Sequence, residues 1–443
     1  MFPKMDRPGA FDILTRIFHA AVIAADPRRA TRDAVAALPI RAQSAWIIAV
    51  GKGGNAMAAG AAEALTASRV HVAGGLVVAQ STDDSAGHGL ECLTGDHPVP
   101  GPRSLAAAER LGEVVVRVPA SDDALVLVSG GATSLIAGPV NGLPADEVRQ
   151  LFTTLLASGA DIELMNAVRK RVLRWGAGRL ATALRANRVH CLIASDVIGN
   201  NPAFIASGPC VPDELTARDV LARVAVAGLL PTLPATVREY ISDVAAGRGT
   251  ETPKPGHARF ATTSTEVILD RHQAVRGAEE AIRARSLGGI TQEAPLTGDA
   301  AAAGDFVAST AVAKAQSPAS GARCMIFSGE TTVRLGPDAG RGGRCQELAL
   351  AAARTLRDAG DAARGIAILA AGTDGRDGPT DAAGAIVDDS TWAALERAGV
   401  DPGAALRTHD AFPTLEAVGA LLRTGPTGTN VNDLALVYLP PGC

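Results

Sequence analysis

The sequence predicts an α/β fold of two domains, each a mostly parallel sheet flanked by helices. Three observations carry this expectation. Short apolar runs of strand length alternate with longer stretches of helical periodicity, the pattern that builds parallel sheets through crossover helices. A stretch rich in Gly, Pro and Thr, residues 245–256, separates two such halves and reads as a linker or long loop. At 443 residues the chain is also longer than one core usually supports. The expected domains are 1–253 and 254–443.

Each element has its own signal. Over residues 9–38, Phe11, Leu14, Ile17, Phe18 and Val22 recur at three- and four-residue steps, which predicts helix. Trp46–Val50 is a buried-strand run, followed by Gly51-Lys52-Gly53-Gly54 and an Ala-rich helix to about Ala67. Gly75–Ala79, Leu125–Val128 and Val189–Ala194 are further strands, the second ending in Ser129-Gly130-Gly131 and the third in Ser195-Asp196. Residues 144–185 read as helix, broken near Ser158-Gly159-Ala160. Past the linker come helices near 270–286 and 299–316, strands at Cys324–Phe327 and Ile366–Ala370, and a last strand at Leu434–Tyr438.

Composition excludes several functions. Apolar residues make up 47% and charged residues 20%, so the chain is globular rather than disordered. Aromatics are 3% and net charge is −4, which leaves neither a base-stacking surface nor a cationic footprint for nucleic acid. No run approaches the ~18 apolar residues of a membrane span, and Lys4, Asp6, Arg7 and Asp12 interrupt any secretory leader. The six cysteines lack metal or disulfide spacing, so reduced thiols and a cytoplasmic location are expected. No His cluster has zinc spacing and no Gly-x-Ser-x-Gly elbow occurs.

Glycine-rich turns at strand ends carry the chemistry, because open α/β sheets bind ligands there and exposed N–H groups cradle anions. Gly51-Lys52-Gly53-Gly54-Asn55-Ala56 matches a Rossmann-like Gly-x-Gly-x-x-Ala, yet the zone about twenty residues on reads His71-Val72-Ala73-Gly74-Gly75 and lacks the expected acid. The turn reads best as a lysine offered with helix N–H groups to a phosphate or carboxylate. Ser129-Gly130-Gly131 repeats the architecture with a hydroxyl. Asp196 is either a helix cap or a base or metal ligand. Glu330, Arg341 and Arg344 form the sharpest group, since guanidinium holds phosphoryl oxygens bidentately. Asp374, Asp377 and Asp381 resemble a cation loop without EF-hand spacing; they bind Mg2+, cap the following helix, or both. Thr427 to Asp433 adds polar groups in a Gly-rich turn, and His97 beside Pro98 offers a polar contact.

Together these segments resemble the MOFRL-type (class II) glycerate 2-kinases, some of which carry the name hydroxypyruvate reductase. The matching segments include Val50-Gly-Lys-Gly53, Gly95-Asp-His-Pro-Val-Pro100, Leu127-Val-Ser-Gly-Gly131, Ser158 to Asn166 with Val168-Arg-Lys170, and Ser195-Asp-Val197. Ile205-Ala-Ser-Gly-Pro209, Gly329-Glu-Thr-Thr-Val333, Gly340-Arg-Gly-Gly-Arg344, Thr373-Asp-Gly375, Asp377 to Asp381 and Gly425 to Asp433 continue it in order along nearly the whole chain. The resemblance implies a two-domain protein with its site in an interdomain cleft, and ATP- and Mg2+-dependent phosphorylation of the 2-hydroxyl of D-glycerate or a related small sugar acid. It implies catalytic roles for Lys52 and Arg344, with Asp196 as proton acceptor. Nucleotide and phosphate contacts are expected at Gly51, Gly53, Ser129, Gly130, Gly131, Gly343, Thr427 and Asn430. Substrate contacts are expected at His97, Asn166, Arg169 and Arg341, and metal ligation at Glu330, Asp374 and Asp377. A monomer or homodimer is expected. The chain departs from the family pattern at Leu173, Gly176, Asn200, Cys210 and Cys345. An NAD(P)H-dependent hydroxypyruvate reductase, and a degenerate kinase that only binds nucleotide or a sugar acid, are the alternatives.

Overall fold

A computed structural model describes residues 7–81, 89–317, 321–336 and 338–441. The chain divides into two compact units, one of Pro27–Leu269 and one of the residues up to Asp26 together with Asp270 onward. The division therefore does not fall at the expected 253/254 position.

In the first unit, six strands order as β3-β2-β1-β4-β5-β6: β1 Ser44–Val50, β2 His71–Ala79, β3 Glu91–Thr94, β4 Asp123–Val128, β5 Val189–Ala194 and β6 Thr263–Leu269. All their pairings are parallel. The strands β1, β4 and β5 are almost wholly buried, with Ile47, Ile48, Leu125 and Val126 inaccessible to solvent. This explains their unbroken apolar runs, since helices cover both faces of such a sheet. The order reverses direction at β1, so the C-terminal ends of β1 and β4 flank a topological switch point, where such sheets take ligands.

The second unit also has six strands, in the order β11-β10-β9-β12-β8-β7: β7 Gly288–Thr291, β8 Arg323–Gly329, β9 Ala367–Gly372, β10 Gly384–Asp388, β11 Leu421–Leu422 and β12 Asp433–Leu439. Here the expected mostly parallel pairing does not hold. Only β7–β8 is parallel; β12 runs antiparallel between β8 and β9, and β10 runs antiparallel to β9 and β11. The β9–β10 connection is a short loop with no crossover helix, which forces antiparallel pairing. Its main covering helix, Arg344–Ala359, packs on the Ala-rich helix Ala300–Ala315 through fully buried alanines.

The predicted helical stretch 9–38 is two helices, Arg7–Ala24 and Pro27–Ala37, assigned to different units. Pro27 has no N–H and disfavours helical geometry at the residue before it, so the helix breaks there. The first helix packs on Arg271–Arg283, whose start is fixed by a capping box of Asp270 and Gln273.

The long expected helix 144–185 is likewise three, Ala145–Ala157, Ile162–Val172 and Arg179–Ala183. At its heart Arg171, 2% exposed, reaches Asp213 at 3.0 Å, and Lys170 reaches the other Asp213 oxygen at 2.6 Å. Glu251 pairs with Arg171 as well. The five described cysteines are free thiols, and Cys443 lies outside the described residues. Among the described residues no helix is long and apolar enough to cross a membrane.

Candidate active site

In the first unit the turns after β1 and β4 are bonded to each other. The Lys52 amide donates to Gly130 O at 2.9 Å, the Gly53 amide to Ser129 Oγ at 2.9 Å, and the Ser129 amide to Val50 O at 2.9 Å. Glycine is required at position 51, whose φ is +131° and where a Cβ would sit 2.1 Å from Ser129 Oγ. Gly131, at φ +82°, brings two expected residues together. A Cβ there would lie 3.2 Å from His97 Nε2 and 3.6 Å from Lys52 Cγ. Lys52 is half-buried and His97 exposed, so a cation, an imidazole and two glycine-rich turns share one patch.

The patch extends outward through hydroxyls. Thr133 Oγ1 and the wholly buried Ser207 Oγ are 3.2 Å apart. Ser207 stands in a run of left-handed residues, Ala206, Ser207 and Gly208 (φ +51°, +62° and +62°), a costly backbone for non-glycine residues. Asn166 Nδ2 donates to Phe204 O at 3.4 Å, on the same segment. Asp196 stands half-buried just past β5. It is two strands from Lys52, roughly 10 Å by strand spacing. Asp96, beside His97, is committed to structure: its Oδ2 accepts from the Arg103 amide at 2.9 Å at the start of the helix Pro102–Arg117.

In the second unit Arg344 is the hub. Its Nε and Nη2 donate to Asp433 at 2.6 and 3.0 Å, and its Nη1 donates to Glu330 Oε1 at 2.5 Å. Asn432 Nδ2 donates to the other Glu330 oxygen at 3.1 Å. Burial opposes the guanidinium's charge, but the two carboxylates outweigh it and raise its pKa. Two acids around one cation make this group net acidic, unlike the cationic clamp expected from sequence. Arg341 and Arg344 also have different partners. The exposed Arg341 stacks on Phe412, with Cζ 4.2 Å from the ring centroid, and its amide donates to Asp410 Oδ1.

Asp377 caps a helix, one of the roles expected, but a helix earlier in the chain and not the one that follows. Its two oxygens accept the Cys345 and Gln346 amides at 3.1 and 2.8 Å, so it caps the helix that begins after Gly343. Burial, then the charge of Asp433, push its pKa up to about 7. Asp374 Oδ1 and Asp433 Oδ1 flank Gly372, lying 3.3 and 3.4 Å from where its side chain would start. Thr427 Oγ1 donates to Thr373 O at 2.5 Å and its amide to Asp374 O at 3.3 Å, which lays the loop carrying Asn430 over the β9 turn. Among the described residues no three His, Cys, Asp or Glu side chains stand together as a metal site. Glu330, Asp374 and Asp377 are therefore not assembled into the expected metal set.

Comparison with known proteins decides the family. Residues 13–242 match a family model described as a domain of unknown function, DUF4147, and residues 323–433 match the MOFRL family. A D-glycerate 2-kinase of Thermotoga maritima is 34% identical over 95% of this chain and 96% of its own length. The chain belongs to the MOFRL-type glycerate 2-kinase family. A glycerate 2-kinase of Pyrococcus horikoshii is 32% identical over 97% of each chain. An Agrobacterium vitis protein provisionally named hydroxypyruvate reductase is 35% identical over 97% of this chain and 94% of its own. The crystal structure of the Thermotoga maritima glycerate kinase superposes with a TM-score of 0.80 at 34% identity, covering 97% of this chain and 99% of that one.

Within the family frame, the departures occupy ordinary structural positions. Leu173 and Cys345 are buried, and Cys345 contributes to the site through its amide. Asn200 takes a left-handed φ of +54°, which Asn tolerates well. Cys210 is buried and interacts with the Cys191 thiol. Sequence reasoning missed Asp433 as the partner of Arg344, together with Asn432, Gln346 and Thr373. The signal available was a polar Asn430-Val431-Asn432-Asp433 run directly ahead of an apolar strand.

Proposed function

We propose that this protein is an ATP-dependent kinase that phosphorylates the 2-hydroxyl of D-glycerate, giving 2-phosphoglycerate. The observation that carries the reading is the pairing of the Lys52 and Ser129–Gly131 turns at the switch point of a parallel sheet, in a chain whose near-full-length relatives include two named glycerate 2-kinases. The reading extends to a cytoplasmic enzyme, which the free thiols of the five described cysteines support.

Phosphoryl transfer asks a protein mainly to position groups and offset charge. Lys52 supplies a cation to the transferring phosphoryl oxygens, beside the N–H groups of the 51–54 and 129–131 turns. Asp196 accepts the proton of the attacking hydroxyl. His97 and Asn166 fix the acceptor's orientation. Arg344 spends three of its five N–H groups on Asp433 and Glu330 and keeps two for a phosphate, its fork aimed by those carboxylates. In the second unit, Thr427, Asn430 and Gly343 offer polar and backbone groups suited to phosphate oxygens. The chain's own carboxylates do not fit a resident metal: Asp377 is a helix cap, and Glu330 and Asp433 are tied to Arg344.

The test is ADP release with D-glycerate, with phosphorus NMR to locate the product phosphate at carbon 2. NADH consumption with hydroxypyruvate in place of ADP release would replace the kinase by a reductase. Calorimetric binding of ATP and glycerate without ADP release would leave a sensor.

A further inference from the structure

The helix Pro402–Thr408 ends on His409, whose φ of +55° and ψ of +37° are left-handed. Glycine is the usual residue at such an end, because a side chain strains that backbone by about 1–2 kcal/mol. Here the side chain is engaged: His409 Nδ1 lies 2.9 Å from Glu347 Oε2. Glu347 stands in the first turn of the helix Arg344–Ala359, and its side chain is only 4% exposed. A buried carboxylate is costly without a partner, and among the described residues His409 alone bonds this one. Burial raises the Glu347 pKa, His409 pulls it back, and the charge of Asp299 adds to the rise.

The segment around His409 also grips the loop that leads into Arg344. The Gly340 amide donates to Thr408 O at 2.7 Å, the Arg341 amide to Asp410 Oδ1 at 2.8 Å, and the Phe412 amide to Arg341 O at 2.9 Å. A Cβ at Gly342 would meet His409 O at 3.3 Å, and one at Gly343 would overlap Asp377, whose Cγ would be 2.2 Å away. The loop is thus held between Asp377 and residues 408–412. The His409–Glu347 contact closes this clamp on the helix itself, one turn beyond Arg344. We propose that His409 is a positioning residue: through Glu347 it fixes the 340–343 loop and the direction in which Arg344 presents its two remaining N–H groups to a phosphate. The proposal deepens the kinase reading and rests on Arg344 meeting a phosphate. His409 meets no reactant and acts only through its partner and the loop.

The test compares wild type, His409→Gly and His409→Asn by ADP release with D-glycerate, hydrogen exchange of the Gly340–Gln346 amides, calorimetric titration with ATP, and thermal melts. Both replacements tolerate left-handed backbone, and the Asn amide nitrogen stands where Nδ1 stood, still able to donate. His409→Gly is expected to lose about 10- to 100-fold in kcat, the cost of a group held slightly out of place. Its KM for D-glycerate should be unchanged, its loop amides should exchange faster, and its melting temperature should stay close to that of wild type, since relieved strain offsets the lost bond. His409→Asn should recover most of kcat and the slow exchange. Wild-type kcat in His409→Gly overturns the proposal, whether or not that variant melts lower, and so does unaltered exchange of the loop amides. His409→Asn as slow as His409→Gly overturns it too, because the hydrogen bond is then not the agent. Wild type that binds ATP but releases no ADP sinks the kinase reading alone. The positioning role is then read from ATP affinity, which should fall about 10-fold in His409→Gly and recover in His409→Asn; unchanged affinity overturns it. Wild type that binds no ATP overturns both.

Discussion

Asp433 accepts from Arg344 through both carboxylate oxygens, at 2.6 Å from Nε and 3.0 Å from Nη2, across 89 residues of sequence. The arginine opens the helix Arg344–Ala359 and the aspartate opens β12. Helix start and strand start are thus pinned together by a two-pronged ion pair. With Glu330 on Nη1, the guanidinium plane is fixed by three hydrogen bonds to carboxylate oxygens.

A lysine cannot reproduce that geometry, because ammonium is a point charge on a flexible stem. Arg344→Lys is expected to lose about 10²- to 10³-fold in kcat, the scale of a lost preorganised charge-stabilising donor, while keeping the native melting temperature nearly intact. Asp433→Asn is expected to lower kcat through the same arginine. Arg344→Lys with wild-type turnover would remove Arg344 from the reaction.

Gly131 makes a sharper test of the first-unit site. Its φ of +82° disfavours any side chain, and an added Cβ would stand 3.0 Å from His97 Cδ2. Gly131→Ala is expected to cost roughly 1–2 kcal/mol in backbone strain and to move His97 and Lys52 apart. Urea denaturation measures the first effect and kcat/KM for glycerate the second. Stability loss without loss of turnover would mean that this turn is scaffold only.

The fully buried Asp213 organises Lys170 and Arg171 at 2.6 and 3.0 Å. Removing one partner of a buried set leaves charge uncompensated. Asp213→Asn should therefore destabilise the first unit by about 3–5 kcal/mol, read as a lowered denaturation midpoint. A shift within error would mean that water already compensates these cations.

How much of this was legible in the sequence depends on the range of the interactions. The strands β1, β4, β5, β8, β9 and β12 announced themselves because burial on both faces demands continuous apolar runs. Short edge strands such as β3 and β7 carry little apolar signal and were not read. Strand direction in the second sheet was invisible, since apolar content says nothing of whether a connection crosses over. The glycine turns at Lys52 and Ser129 were legible because glycine and strand end lie side by side in sequence. The Arg344–Asp433 pair, the Asp377 cap, the His409–Glu347 pair and the seat of Arg169 over the Phe152 ring depend on tertiary neighbours, which no spacing encodes. At 374–381 spacing left a cation loop and a cap on the following helix both open, and Asp377 caps the earlier helix Arg344–Ala359 instead.

Asp377 also sets a pH dependence. Burial first, and the charge of Asp433 second, raise its pKa to about 7 from an ordinary value of 3.8, against the pull of the Gln346 and Cys345 amides. The folded value exceeds the unfolded one, so between these limits the folded state holds a proton that the unfolded chain has released. Stability from this group is fully present below pH ~4, declines as pH rises toward ~7, and is flat above. Glu251 acts in a separate window and in the opposite sense. Burial penalises its charge, but the Ala217 and Thr252 amides and Arg171 outweigh that and lower its pKa to about 2, so its contribution is lost only as pH falls below the ordinary 4.5. Asp377→Asn removes the titration while keeping a side-chain oxygen for one helix amide. Denaturation midpoints of wild type and Asp377→Asn should therefore converge as pH rises from 4 to 7, with wild type the more stable at the acid end. Parallel profiles across that interval would show that Asp377 stays ionised throughout, its two backbone N–H donors and the helix terminus outweighing its burial.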